Sequence, residues 1–339
     1  MIFDASTHAL PLKLSTDLVV VGSGAGGMAA AMAAAEAGVR TLVLEGGEYL
    51  MPKDMSQREE HMFPKLLQDG GSRTSADRGV KIHQGRGIGG STLHNTNLIK
   101  RIPEAIRTEW THTRGLSHLP ASRWTALYEE LEQLLSVNAV PREQWNRHNL
   151  LLEKACSELG WKGGGLSHNR SGCLGSGFCE VGCRYNAKNN AFKVLLPRLL
   201  AAGGEVLSNC VAVRVVHERG AARGVEAVAI DPVTRQVLGE VEIVATRVCL
   251  SASATGTAAL LLRSGVRDPS GETGNTLRIH PAVIAAGDFG EPVKAWEGIP
   301  QTYECTEFLE LDKPDGHRVW VLPAFAHPVG TATMIPGHG

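Results

Sequence analysis

The sequence has no excess of either charge, and this absence excludes two classes of function. The 339 residues contain 34 lysines and arginines against 35 aspartates and glutamates, which leaves a formal net charge of −1. A protein that binds nucleic acid or an anionic membrane surface electrostatically needs a basic face. Aromatic residues make up only 5% of the chain, so nothing indicates a surface on which sugar rings stack. We therefore expect no nucleic-acid partner.

Features typical of secreted and membrane proteins are also missing. Seven cysteines are an odd number in a long chain, which does not fit a disulfide framework and predicts a reducing, cytoplasmic compartment. The first 17 residues contain no basic stretch followed by an apolar one, so no signal peptide is expected. One uncharged run, Leu18–Ala35, has the length of a membrane span. Its early glycines and later alanines predict a strand, a turn and a helix instead.

The N-terminal region has the order strand, glycine turn, helix, strand. Leu18–Val21 is a short apolar strand, Met28–Ala37 is a strong helix-forming run, and Val39–Leu44 is a second apolar strand. This order is a βαβ unit and predicts a parallel sheet. The turn between the first strand and the helix, Gly22–Gly27, fits the pattern G-x-G-x-x-G. That pattern in that place indicates a dinucleotide-binding site.

Each part of this fingerprint has a physical role. Gly22 makes the tight turn, Gly24 lets a pyrophosphate approach the backbone, and Gly27 packs the helix against the strand. The N-terminus of the helix offers N–H groups and partial positive charge to the phosphates. Glu45 ends the next strand, where a carboxylate accepts hydrogen bonds from the adenosine ribose. Its charge disfavours a 2′-phosphate, which leaves NAD or FAD as the ligand.

A second glycine-rich loop, Gly85–Asn95, decides between these two ligands. A nicotinamide enzyme needs no second loop of this kind. A flavin in an extended pose needs backbone close to both its pyrophosphate and its ring system. The sequence therefore predicts FAD as the cofactor.

The rest of the chain supplies further helices and strands. Ser122–Val137 and Leu150–Leu159 have helical periodicity, and Lys188–Leu200 is a helix interrupted at Pro197. From Glu205 to Val248 the period changes to two, which predicts a three-stranded β-meander. Two further segments complete the prediction: a helix at Thr257–Arg263, and strands of a second domain from Arg278 onward. We expect an FAD-binding domain at 1–285, with a loop-rich insertion at about 50–190, and an incomplete substrate-binding domain at 286–339.

Four motifs resemble those of the glucose–methanol–choline (GMC) oxidoreductases, a family of FAD-dependent alcohol oxidases and dehydrogenases. The stretch 85–95 resembles the first family signature, and Ser251–Thr255 with Leu261–Val266 resembles the second. With the N-terminal fingerprint and His280-Pro281, the order and spacing agree over residues 15–285. The resemblance implies an α/β fold with a parallel FAD-binding sheet, helices on one face, a β-meander on the other, and the start of an antiparallel substrate domain.

The resemblance also implies a reaction and a set of contacts. The reaction is oxidation of an alcohol to a carbonyl, in which a base removes the hydroxyl proton while hydride leaves carbon for flavin N5; the acceptor is O2 or a redox partner. The residues expected to contact FAD are Gly22, Gly24, Ala25, Gly26, Gly27, Glu45, Gly46, Arg86, Gly89, Gly90, Ser91, Thr92, His94, Asn95, Val213 and Ala252.

His94 has two interpretations. A choline-oxidising member of the family has the same His-Asn pair after its glycines, and its histidine is linked covalently to the 8α-methyl of the flavin. A neutral imidazole nitrogen is suited to this bond. The alternative is a histidine that only forms a hydrogen bond near the flavin. Asn95 is expected near the N5 edge of the ring.

Three cysteines within eleven residues, Cys173, Cys179 and Cys183, could hold an iron–sulfur cluster or zinc. Some bacterial GMC dehydrogenases that reduce a cytochrome partner carry a three-iron cluster on a similar triplet, whereas other members have a similar segment without metal. We favour buried structural thiols and expect no metal. An electron-transfer subunit with a cluster stays an alternative.

His327 starts a segment, His327–Met334, that resembles the family segment holding the catalytic histidine. In the family that segment lies some two hundred residues further from His-Pro. His327 is therefore the catalytic candidate within this sequence, but we favour a loop residue of the substrate domain and expect the family's base to lie beyond residue 339. A flavin-binding chain without turnover is the second alternative function.

Overall fold

The chain forms two units that alternate along the sequence. In the computed structural model, which describes residues 1–313, 315–325 and 327–329, residues 1–94, 181–184 and 190–282 form the first unit. Residues 95–180, 185–189 and the described residues between 283 and 329 form the second. These bounds differ from the expected domains. Residues 95–180 were expected to be part of an insertion in the FAD-binding domain, but they belong to the second unit. They pair with the C-terminal segment through strands Gly163–Gly165 and Tyr303–Cys305.

The first unit is built on one seven-stranded sheet. Its strands are β1 (Ile2–Asp4), β2 (Leu12–Val21), β3 (Thr41–Leu44), β8 (Glu205–Ser208), β9 (Cys210–Glu218), β10 (Ala221–Ile230) and β11 (Val237–Leu250). Their order across the sheet is β1-β8-β3-β2-β11-β10-β9. The pairs from β1 to β11 are parallel, and β11-β10-β9 is an antiparallel meander. The sequence therefore predicted both the parallel strands and the antiparallel meander. The region 205–248 contains four strands and not the three expected, because β8 pairs with the parallel strands and is not part of the meander.

The meander joins the parallel sheet through β11, whose 14 residues pair with β10 through Val237–Val244 and with β2 through Val241–Leu250. Val215 and Val225 of the meander share one core with Leu42 and Leu44 of the parallel strands. Alternating apolar residues of these strands are buried together and form the main core of the unit. Val19, Leu42 and Ile243 belong to this core.

Four helices belong to the first unit: α1 (Ala25–Glu36), α2 (Glu59–Leu66), α6 (Leu196–Ala201) and α7 (Ser253–Arg263). Helix α1 buries Met28, Ala31, Met32 and Ala35, which is one face at helical spacing. The uncharged run 18–35 is thus a strand, a turn and a helix, as predicted. No helix in the described residues has the length and apolar character needed to cross a membrane. The expected interruption at Pro197 is a π-helical turn, Ala191–Leu195, followed directly by α6.

The described residues of the second unit form three helices and two small antiparallel sheets. Its helices are α3 (Glu104–Arg114), α4 (Ala121–Leu134) and α5 (Arg147–Leu159). Its strands are β4 (Leu98–Ile99), β5 (Val137–Ala139), β6 (Gly163–Gly165), β7 (Ser167–Asn169) and β12 (Tyr303–Cys305), paired as β4-β7-β5 and β12-β6.

Two expectations for the second unit need correction. The described residues after Arg278 contain one strand, β12, because most of the apolar stretch 278–292 is exposed and pairs with nothing regular. Helix α3 was not predicted, because its few apolar side chains, such as Ile106 and Trp110, stand among polar residues and none of them is buried. Helix α5 ends at Gly160, in the left-handed conformation that favours glycine, as predicted.

Candidate functional site

The first glycine loop has the geometry that its fingerprint predicts. Gly22 has φ +103°, and a Cβ atom there would lie 2.3 Å from the carbonyl oxygen of Ser251. A Cβ atom on Gly27 would lie 2.0 Å from the carbonyl oxygen of Gly22. No side chain fits at either position. The first glycine therefore permits the turn, and the third permits close packing of α1 on β2.

Gly24 differs, because a Cβ atom there would meet no protein atom within 4 Å. It is the N-cap residue of α1, and no side chain caps this helix. The N-terminal N–H groups of α1 thus face a cleft of about 1060 Å³. A helix N-terminus beside a backbone without side chains fits a pyrophosphate. The predicted contact residues that line the cleft are Gly22, Gly24, Ala25, Gly26, Glu45, Gly46, Gly90, Ser91, Thr92 and Ala252.

The second glycine loop contacts the first directly. Gly89 and Gly90 have φ +113° and +54°, and a Cβ atom on Gly90 would lie 2.7 Å from the Cα atom of Gly24. The chain turns here into a short helical segment, Gly90–Leu93. Two backbones without side chains therefore meet at one end of the cleft, as an extended flavin requires.

Glu45 links the two loops. Its buried carboxylate, 6% exposed, accepts hydrogen bonds from the hydroxyl of Ser23 (2.6 Å) and from the backbone N–H groups of Ser23 (3.2 Å), Gly47 (2.9 Å) and Gly87 (3.1 Å). Four donors match the four acceptor positions of a carboxylate. Glu45 lines the cleft, but the bonds observed go to the protein. The ribose contact stays a prediction, and the observed role of Glu45 is to hold the two loops together.

Ser23 is a site residue that the sequence reasoning missed. Besides its bonds to Glu45, its hydroxyl oxygen accepts from the N–H of Gly89 at 3.1 Å and lies 3.3 Å from the carbonyl oxygen of Gly87. The side chain is fully buried. The fingerprint treats this position as variable, so only a contact between the loops reveals its role.

Six predicted contact residues do not line the cleft. Gly27 and Gly89 are packed against neighbouring backbone and side chains. Val213 is 41% exposed, and Val211, two residues earlier in β9, lines the cleft in its place. Arg86 lines a neighbouring groove. His94 and Asn95 follow the segment Gly90–Leu93 and are likewise outside the lining.

Further cleft residues come from segments without a fingerprint. The N-terminus of α7 lines the cleft, and the hydroxyl of Thr255 donates to Oε1 of Gln84 at 3.0 Å. Arg73 donates to the same oxygen at 3.2 Å. The second family signature already pointed to the α7 segment. Gln84 and Arg73 gave no signal in the sequence.

Among the described residues, no group of three or more His, Cys, Asp or Glu side chains is placed to hold a metal ion, and the structural role of the cysteine triplet stays a prediction. Cys173 and Cys179 belong to the second unit, and Cys183 belongs to the first. The sulfur of Cys173 accepts a bond from the N–H of Gly175 at 3.4 Å.

His327 is buried in the second unit at 3% exposure. Its ring stacks on Phe178, with centroids 5.4 Å apart and planes at 22°, and meets Phe325 edge-on at 5.9 Å. The remainder of its motif, from Gly330 to Met334, lies outside the described residues. In the same unit the buried Lys188 donates to the carbonyl oxygens of Asn95 (2.5 Å) and Cys179 (2.8 Å).

Comparison with known proteins agrees with this geometry. A family model described as GMC oxidoreductase matches residues 63–282, and one described as FAD binding domain matches residues 17–51. An uncharacterized GMC-type oxidoreductase of Mycobacterium tuberculosis is 33% identical over 97% of this chain and 51% of its own length. A long-chain-alcohol oxidase of Arabidopsis thaliana is 30% identical over 86% of this chain and 40% of its own. The chain spans about half the length, or less, of these curated relatives.

A formate oxidase of Aspergillus oryzae has the same fold, with a TM-score of 0.53, 15% identity, and coverage of 76% of this chain and 48% of the other. The parallel βαβ sheet, the glycine loop at the start of α1 and the second glycine loop define a dinucleotide-binding protein of the flavoprotein class. Within that class, the match over more than half of the residues shows that the chain belongs to the GMC oxidoreductase family.

Proposed function

We propose that the chain is the FAD-binding portion of an enzyme that oxidises a primary or secondary alcohol to a carbonyl compound. The observation that carries this proposal is the pair of glycine loops that meet at Gly24 and Gly90 beside the open N-terminus of α1. The family match and the alcohol oxidase among the relatives support it.

FAD would be held mainly by backbone. Gly24, Ala25 and Gly26 offer the N-terminus of α1 to the pyrophosphate, and Ser91 and Thr92 follow the second loop on the same cleft. Glu45 keeps both loops in place. When bound, FAD supplies the acceptor for a hydride that leaves the alcohol carbon.

We do not propose His327 as the base that removes the hydroxyl proton. Its ring is buried between Phe178 and Phe325, and a general base must reach the substrate hydroxyl. We propose that the base is the family's C-terminal histidine, and that O2 reoxidises the flavin, because a long-chain-alcohol oxidase is among the relatives. The same relative makes long-chain primary alcohols the first substrates to test.

The test measures H2O2 release and the loss of flavin absorbance near 450 nm with a series of primary alcohols under air and under argon. It is run on the 339-residue chain and on the product of the longest reading frame that includes it. Bleaching by an alcohol under argon is expected from the longer product. FAD binding without bleaching by any alcohol in both products would favour a flavin-binding chain without turnover.

A further inference from the structure

A second groove in the first unit, of about 760 Å³, adjoins the FAD cleft. It lies between α2 with the turn after it and the tip of the β10–β11 hairpin. The two cavities share Gln68, Val211 and Arg235 in their linings. The groove also contains Arg86, and the proposed function gives it no role.

Arg86 is a fixed, buried cation. Its side chain is 6% exposed, and a Cβ atom on Gly47 would lie 2.7 Å from its Cγ, so the backbone of Gly47 packs against its stem. The closest carboxylate oxygen, Oε1 of Glu48, is 4.0 Å from Nη2. Within the described residues, Nε of Arg86 is buried without a hydrogen-bond partner. A guanidinium carries five N–H donors, and burying them unsatisfied is costly.

Arg235 brings a second positive charge to the same groove. Its Nη1 donates to the carbonyl oxygen of Gly46 at 3.1 Å. Burial and then the charge of Arg86 lower the pKa of Arg235, and burial lowers the pKa of Arg86. Glu48, Glu45 and Asp69 raise the pKa of both groups, so burial is the main cause that disfavours each guanidinium charge.

Most carboxylates of the groove already have partners. Glu60 accepts from Arg58 and Asp69 accepts from Arg73, each at 2.7 Å. Lys65 adds a third cation to the lining. The lining therefore contains three cations, Arg86, Arg235 and Lys65. Among the described residues, Glu48 is the one carboxylate of the lining that has no hydrogen bond or ion pair shorter than its 4.0 Å contact with Arg86.

We propose that this groove binds an oxyanion, a phosphate or a carboxylate, to which Arg86 and Arg235 donate hydrogen bonds. A guanidinium group can donate two parallel N–H bonds to two oxygens of either a carboxylate or a phosphate. The opposite wall is apolar and includes Val228, Ile230 and Val237, so a carboxylate with an alkyl body also fits. The site is separate from the pyrophosphate position at Gly24, because Arg86 lines only the groove and Gly24 lines only the cleft.

Calorimetric titration of the chain with inorganic phosphate and, separately, with octanoate tests this inference, against potassium chloride at matched ionic strength. Each titration is run with and without saturating FAD. We expect saturable 1:1 binding of at least one anion in both states, weakened at least tenfold in Arg86→Gln and in Arg235→Gln. The anion that binds more tightly identifies the source. Arg214→Gln, at an exposed arginine paired with Glu226, should bind as the unmodified chain does.

Three results would overturn the inference: no saturable binding of either anion, binding that both arginine variants retain, or binding that FAD abolishes, which would place the anion in the pyrophosphate position. Circular dichroism checks that each variant is folded. If Arg86→Gln fails to fold, Arg235→Gln decides alone, because that side chain is only half-buried. The titration without FAD does not depend on the proposed function, so failure of flavin binding leaves it interpretable.

Discussion

At the scale of single residues, Glu45 does more than a ribose contact requires. Its carboxylate accepts four protein hydrogen bonds that span three segments of the chain, around Ser23, Gly47 and Gly87. A buried carboxylate with all acceptor positions used fixes the backbone groups bonded to it. The two glycine loops thus depend on one side chain for their relative position.

Glu45→Gln should lower both FAD affinity and the free energy of unfolding. The amide places an NH2 group against N–H donors, and loss of a hydrogen bond to a charged group costs roughly 1.5–3 kcal/mol. FAD titration and urea unfolding measure the two effects. The matched control is Glu226→Gln, which removes only an exposed, solvent-screened pair with Arg214 and should leave stability and FAD affinity nearly unchanged. Unchanged stability and affinity in Glu45→Gln would show that the carboxylate does not link the loops.

His94 supports a second prediction at this scale. It follows the segment Gly90–Leu93, and its N–H donates to the carbonyl oxygen of Ser91 at 3.3 Å. If its ring is bonded to the flavin 8α carbon, acid-precipitated protein stays yellow, because a covalent bond survives unfolding. His94→Ala should then release all flavin to the supernatant, while His118→Ala, at an exposed histidine, should not. A colourless precipitate from the unmodified protein would eliminate the linkage and leave the FAD site untouched.

At the scale of elements, strand β7 contains a histidine that opposes acid stability. His168 is 1% exposed, its Nε2 lies 3.0 Å from the carbonyl oxygen of Gln301, and burial lowers its pKa to about 4. The folded state therefore binds fewer protons than the unfolded state between pH 6.5 and 4. Stability must fall as pH falls through this window.

We expect the free energy of unfolding to decrease by up to about 3 kcal/mol between pH 7 and pH 4 from this residue. His168→Gln keeps a donor for Gln301 and should flatten that part of the pH dependence. Urea unfolding across the pH range measures the slope. His118→Gln, at an exposed histidine, should leave it unchanged. An identical slope in His168→Gln would show that another group controls acid stability.

Elements with local signals were predictable from the sequence, and those held by distant contacts were not. Helix α1 and strands β2 and β3 follow from apolar runs separated by glycines, and Gly160 marks the end of α5. Helix α3 buries no residue and has few apolar side chains, so its segment was not recognised as a helix. The pairing of Gly163–Gly165 with Tyr303–Cys305 joins segments far apart in sequence, so the unit boundary was misplaced. In the site, the glycines were found but Ser23 and Gln84 were not, because their partners lie in other loops.

At the scale of the whole molecule, the chain corresponds to about half of its curated relatives and carries the FAD-binding features of the family. The two glycine loops, Glu45 and the N-terminus of α1 all belong to the first unit. The proposed flavin binding can therefore be assayed separately from the proposed alcohol oxidation.

Flavin binding by two glycine variants distinguishes a ligand site from a structural turn. At Gly24 the φ is −65° and a Cβ atom meets no protein atom, so Gly24→Val should fold as stably as the unmodified chain and lose FAD. At Gly27 a Cβ atom would lie 2.0 Å from the carbonyl oxygen of Gly22, so Gly27→Ala should lose stability itself. Gly164→Val, in the second unit with open space at its Cβ, should change neither.

The decisive measurement is calorimetric titration of purified Gly24→Val with FAD beside the unmodified chain, with thermal unfolding of both. We predict one FAD per unmodified chain, no detectable FAD in Gly24→Val, and midpoints of unfolding without FAD that agree within about 2 °C, as expected for a stability change of a few tenths of a kcal/mol. A Gly24→Val chain that binds FAD as tightly as the unmodified one would contradict the assignment of the cleft to FAD.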